Sequence, residues 1–149
     1  MKKWRENPGN RERERETSRS RYFRNRHLER QNKIKELTNV VKLHYGCANP
    51  NCVCKSAKLE SVCYDFHHID AHEKCFCISK AGRSLAAVSK EINKCCVLCS
   101  NCHRLETYGL LDATNFQRCN ISLDTQQNPV TINEKLAVDF FEVSKLPTR

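Results

Sequence analysis

No run of this chain approaches the ~20 consecutive apolar residues that a membrane-spanning helix needs. The basic N-terminus has no apolar segment behind it of the kind a secretory signal carries, so the expected compartment is the reducing cytoplasm. Internal repeats are missing, and the one biased tract is an Arg/Glu alternation near the start. Aromatic residues are few, 7% of 149, and aliphatic content is modest, which implies a small core and excludes two full domains. A disulfide framework fits poorly as well: eleven cysteines is an odd count, and several fall in short metal-type pairs. Thiols held on zinc are the better reading. A core of roughly 65 residues is near the size at which natural domains need a metal or disulfide staple.

What the chain has in quantity is positive charge, and it is unevenly spread. Residues 1–45 hold fourteen Lys and Arg against six Glu, a net +8 of the whole chain's +9. A basic helical arm over residues 1–44 is expected, frayed up to about Ser20 because the Arg11 to Glu16 alternation gives favourable i,i+3 pairs but like-charged i,i+4 pairs. Ile34, Leu37, Val41 and Tyr45 then recur at helical spacing and Gly46 stands where a helix stops. Such a charge run is most simply a solvated helix face. If the chain acts on nucleic acid, the same run becomes an electrostatic DNA arm, with Arg19, Arg21, Arg24, Arg26 and Arg30 as its phosphate contacts.

Past Gly46, Cys47 and Cys52 bracket a turn of Asn and Pro, with Cys54 a competing thiol. Residues 59–66 alternate loosely, as a strand would, and run into His67-His68. Residues 69–83 are polar and turn-rich. Ser84 is a good N-cap for a helix from Leu85 to Lys94, Cys96 to Leu98 suits a second strand, and Cys99 to Thr107 suits a knuckle opening into a helix. Residues 112–149 form a tail, polar up to Pro129, with Leu136, Phe140 and Val143 at helical spacing; a surface helix is expected over Asn133 to Val143.

Cys47 and Cys52, with Cys99 and Cys102, make a four-thiolate set of the closed kind that structural zinc takes. The remaining thiols are read as buried small hydrophobes. His67 and His68 lie on extended backbone and so point to opposite faces, which leaves one free to bind a metal while its neighbour does other work. His103 directly follows a zinc thiolate, which would fix its position.

Asp65-Phe66-His67-His68-Ile69-Asp70, Phe76-Cys77-Ile78-Ser79 and Lys94-Cys95-Cys96-Val97-Leu98-Cys99-Ser100-Asn101-Cys102-His103-Arg104 together resemble the HNH endonucleases, particularly small phage-type members. The resemblance covers about residues 45–108, within a domain expected over 45–111. It implies an α+β fold: a small ββα-metal core braced by a four-cysteine zinc knuckle and preceded by the basic helical arm. It also implies a metal-dependent nuclease cutting DNA phosphodiesters to 5′-phosphate and 3′-hydroxyl ends. His68 would be the general base, and His67 and His103 would hold a catalytic divalent ion, Mg2+, Mn2+, Ni2+ or Zn2+, in addition to one structural Zn2+. By spacing the family's middle asparagine falls near Lys94, with Asn93 one place off and Asn101 a supporting alternative. Arg104 is a reasonable phosphate clamp. The rival is a non-catalytic, zinc-stabilised DNA-binding module, and RNA is a third substrate class.

Overall fold

The computed structural model describes residues 7–79, 83–123, 130–132 and 136–138. Its longest element is helix α1, Pro8–Tyr45. Asn7 caps it by accepting from the Gly9 N–H at 3.0 Å, Pro8 fills the first helical position, and Gly46, at φ 60°, closes it with its N–H on the Lys42 carbonyl. The helix therefore starts at Pro8 and is not frayed to Ser20. The Asn-Pro pair supplies a start signal that the mixed charge pairing does not. Only the last third of α1 is in the core, through Ile34, Leu37 and Val41. Residues 11–30 are exposed throughout, so about 30 Å of helix stands clear of the domain.

Beyond the Cys47–Cys52 loop, a short turn at Ser61–Cys63 leads into strand β1, Tyr64–His68. The expected strand began at residue 59, but Val62 is 81% exposed and sits in that turn. Helix α2, Leu85–Ile92, is capped by Ser84, whose hydroxyl accepts from the Ala87 N–H. Strand β2, Cys95–Cys99, is buried along its length and pairs antiparallel with β1, Tyr64 opposite Cys99 and His68 opposite Cys95. Helix α3, Ser100–Thr107, follows at once.

The partners of alternate β1 residues define the layers. Asp65 and His67 meet His103 and Glu106 of α3. Phe66 meets Lys42 of α1, and His68 meets Glu91 of α2. The two-stranded sheet is thus held between α3 on one face and α1 with α2 on the other, a mixed α+β arrangement. Val97, Leu98, Ile92, Val88 and the α1 stripe fill the interior.

A second sheet was not anticipated. Strands β3 (Ile121–Leu123), β4 (Val130–Ile132) and β5 (Leu136–Val138) form an antiparallel meander. The helix expected over Asn133 to Val143 is therefore wrong where it can be compared, since Leu136–Val138 is strand; residues 133–135 and 139–143 lie outside the described residues. Apolar residues three and four apart satisfied a helical template there, but strand pairing across the meander outweighs that local pattern. Asn93 ties this sheet to the core: its amide donates to the Ile121 carbonyl and accepts from the Ile121 N–H, both at 2.9 Å. No helix among the described residues is long and apolar enough to cross a membrane.

Candidate metal centre and histidine site

Four elements deliver the thiols. Gly46 ends α1 and releases Cys47; the following turn, bonded from the Ala48 N–H to the Val97 carbonyl, returns Cys52; β2 ends on Cys99; and the first turn of α3 supplies Cys102. The Cys47, Cys52, Cys99 and Cys102 sulfurs all lie within 4.8 Å of one another and are buried. A tetrahedral zinc with Zn–S bonds near 2.3 Å needs sulfurs about 3.8 Å apart, and the Cys52–Cys99 separation is 3.5 Å. These four residues are placed to hold one metal ion. Cys54 is outside the set, which decides between it and Cys52; its sulfur lies 3.9 Å from the Asn101 amide instead.

The surroundings suit thiolates. The Cys102 N–H donates to the Cys99 sulfur and the buried Asn49 amide to the Cys102 sulfur at 3.2 Å. Burial pushes the Cys102 and Cys52 thiols up. Burial works the same way on Cys99, but the Cys102 N–H and the neighbouring thiols outweigh it and bring Cys99 down. All eleven cysteines are free thiols; burial lifts Cys95 to about 12 and Cys96 to about 11, as expected of inert core residues.

Beside the thiol cluster, on the α3 face of the sheet, His67 and His103 stand edge to face with ring centroids 5.4 Å apart. Each ring has a carboxylate at its Nδ1: Glu106 at 3.3 Å from His67, Asp65 at 3.4 Å from His103. The pattern is crossed, strand histidine to helix acid and helix histidine to strand acid. A carboxylate at Nδ1 favours the tautomer that carries its proton there and leaves Nε2 as the basic, metal-binding nitrogen. Burial lowers the His67 pKa, with Glu106 opposing, which favours the neutral form that a metal requires. Asp65 and Glu106 were missed from sequence, although the signal was present: Asp65 is two residues from His67 on one strand face, and Glu106 three from His103 on one helix face.

His68 points to the opposite face and is nearly buried. Its Nε2 lies 2.9 Å from Glu91 Oε1. Glu91, 2% exposed, also accepts from the Cys75 N–H at 2.8 Å, the Phe76 N–H at 3.3 Å and Lys94 Nζ at 2.9 Å. Burial alone would raise its pKa, yet Lys94, the backbone N–H groups and His68 bring it from 4.5 to about 2. An ionised Glu91 takes the Nε2 proton of His68 as a hydrogen bond and leaves Nδ1 free to accept another. The sequence clue was an acid three residues after Val88, on the apolar stripe of α2.

Because the folded value lies below the ordinary one, Glu91 stabilises the fold fully above pH 4.5 and loses that contribution as pH falls toward 2. Glu91→Gln should be less stable at neutral pH by on the order of 3 kcal/mol, with the difference shrinking on acidification. Urea denaturation at a series of pH values measures it; a difference that stays constant with pH would remove Glu91 as the titrating group.

Of the other expected site residues, Lys94 is part of the Glu91 network and also reaches the Glu73 carbonyl and the Cys75 sulfur. Asn93 is the tie to Ile121. Asn101 is exposed on the thiol side of α3, against Cys54 and away from the histidines. Arg104 is exposed, next to His103. Arg19, Arg21, Arg24, Arg26 and Arg30 are exposed along the projecting part of α1 and not gathered on one face. Comparison of the chain with protein-family models, with curated proteins and with solved structures gave no match.

Proposed function

We propose that this protein is a metal-dependent endonuclease of the HNH type, hydrolysing DNA phosphodiester bonds, with a ββα-metal core formed by β1, β2 and α3 and a structural zinc on Cys47, Cys52, Cys99 and Cys102. The observation that carries the reading is the division of the histidines. His67 and His103 face each other with a carboxylate behind each ring, and His68, next in sequence, is held apart by Glu91.

His67 and His103 would hold a divalent ion through Nε2, and that ion would supply Lewis-acid stabilisation of the charge developing on phosphate and leaving oxygen. Glu106 and Asp65 orient the two rings. Glu91 holds the His68 ring on the other face of the sheet, so as general base His68 would have to leave Glu91 and turn toward the His67–His103 face to take a proton from the attacking water. Arg104 offers a cation to the phosphate from the turn that carries His103. Two imidazoles suit manganese, nickel or zinc, and a ligand sphere completed by water oxygens also admits magnesium.

The burial of His68 and its bond to Glu91 would equally suit a packed histidine in a zinc-stapled binding module. Incubating the zinc-loaded protein with supercoiled plasmid and a panel of divalent metals separates the two. The nuclease reading expects nicked or linear plasmid that depends on added metal, with ligatable 5′-phosphate ends; plasmid that is bound but uncut with every metal would favour the binding module.

A further inference from the structure

The arm of α1 is basic all round by composition, but helix geometry divides its arginines. At 3.6 residues per turn, residues 4, 7, 11 or 18 apart lie near one line along the axis. Ile34, Leu37 and Val41 are buried against the domain and mark the side of the helix on which the domain lies. Arg30 is four residues before Ile34. Arg26 and Phe23 are eleven before Leu37 and Ile34, and Arg19 is eighteen before Leu37. All four fall within about 50° of the buried stripe's midline. Arg13, Arg21 and Arg24 fall roughly 90° to 170° away from it.

The domain-side line is different in kind from the rest of the arm. Between Thr17 and Lys33 the one carboxylate is Glu29, which lies about 110° from that midline. Glu16 stands three residues before Arg19 and Glu29 three after Arg26, yet Arg19, Arg26 and Arg30 make no salt bridge with a carboxylate among the described residues. Phe23, 63% exposed, sits in the middle of the line. Tyr22 packs edge-on against it at 5.8 Å and carries the Arg26 guanidinium 5.8 Å from its ring centroid. An exposed aromatic pair among arginines has no packing role in the domain. From Arg19 to Arg30 the line runs about 16 Å, close to the rise of five base pairs.

We propose that Arg19, Arg26 and Arg30, with Phe23 between them, form a seat for the sugar-phosphate backbone of a DNA duplex, and that Arg13, Arg21 and Arg24 remain in solvent. The inference rests on the reading that the domain acts on DNA, and adds the side from which the arm meets it. A duplex that touches both the domain and the arm meets the arm from the domain's side, where that line lies. The complementarity is one of charge, three cations in no ion pair against a regular line of phosphates, with an aromatic edge to lie against sugar. The outward arginines add long-range attraction without contact.

Two variants that remove the same charge test this: Arg19→Gln/Arg26→Gln/Arg30→Gln and Arg13→Gln/Arg21→Gln/Arg24→Gln. Each full-length, zinc-loaded protein is titrated by fluorescence anisotropy with a labelled DNA duplex across a salt series, with far-UV CD as the check on folding. The domain-side variant is expected to bind about tenfold or more weaker, with the slope of log affinity against log salt shallower by between about 2 and 3, while the outward variant keeps nearly the parent slope. Phe23→Ala should weaken binding without changing the slope. Equal losses in the two triple variants, no loss in either, or tighter binding of an RNA duplex of the same sequence would overturn the seat. Cleavage is scored separately: a domain-side loss of binding in a protein that cuts no plasmid keeps the seat and rejects the nuclease, and cutting with equal losses does the reverse.

Discussion

Stripping the metal with a chelator, or replacing Cys99 or Cys102 with serine, is expected to unfold this protein outright. The four thiols join the end of α1, the loop after it, the end of β2 and the start of α3, so losing the ion releases every element that faces the histidines. Structural zinc contributes apparent binding energies of about 10–16 kcal/mol in small fingers, against a total stability of roughly 5–15 kcal/mol for an ordinary domain. Cys47→Ser and Cys52→Ser should behave like the other two, and Cys54→Ser should leave zinc content and melting unchanged. Metal analysis with far-UV CD and thermal melting reads all of these. A metal-free protein with native CD and a cooperative melt would contradict the zinc staple, and unfolding by Cys54→Ser would contradict the ligand set.

The second large effect is on turnover. His68→Ala should keep zinc, DNA affinity and binding of the second ion, because Glu91 retains Lys94 and two backbone N–H donors, and should cut cleavage by about 10² to 10⁴, the range typical of losing a general base. His103→Ala should lose the second ion together with activity, with partial recovery at high metal concentration. His67→Asp provides an oxygen ligand and should shift preference toward magnesium or manganese while retaining activity. Manganese titration followed by electron paramagnetic resonance, beside plasmid cleavage, distinguishes the three variants. Equal metal affinity in the parent and His103→Ala would remove His103 from the ligand set.

The parts of this arrangement that were legible in the sequence are those written in local pattern. Ile34, Leu37, Val41 and Tyr45 with Gly46 gave the end of α1, because period and stop signal agree. The four-thiol set was legible up to the choice of Cys52 over Cys54, which depends on how the turn folds back against Val97. The opposite facing of His67 and His68 followed from strand alternation alone. Long-range pairing was not legible: Glu91 reaches across from α2 to His68, and three-residue strands such as Ile121–Leu123 carry too short a pattern to be told from loop. Asn93 shows the same limit, since its partner is the backbone of Ile121, 28 positions on.

The central claim is that His68 performs chemistry on DNA held at the His67–His103 face. The most direct measurement is single-turnover cleavage of a DNA duplex by zinc-loaded parent and His68→Ala proteins, at saturating divalent metal and with enzyme in excess so that every duplex is bound. The account predicts metal-dependent cleavage by the parent and a rate lower by about 10² to 10⁴ in the variant at equal occupancy. Cleavage by His68→Ala at the parent rate would contradict it.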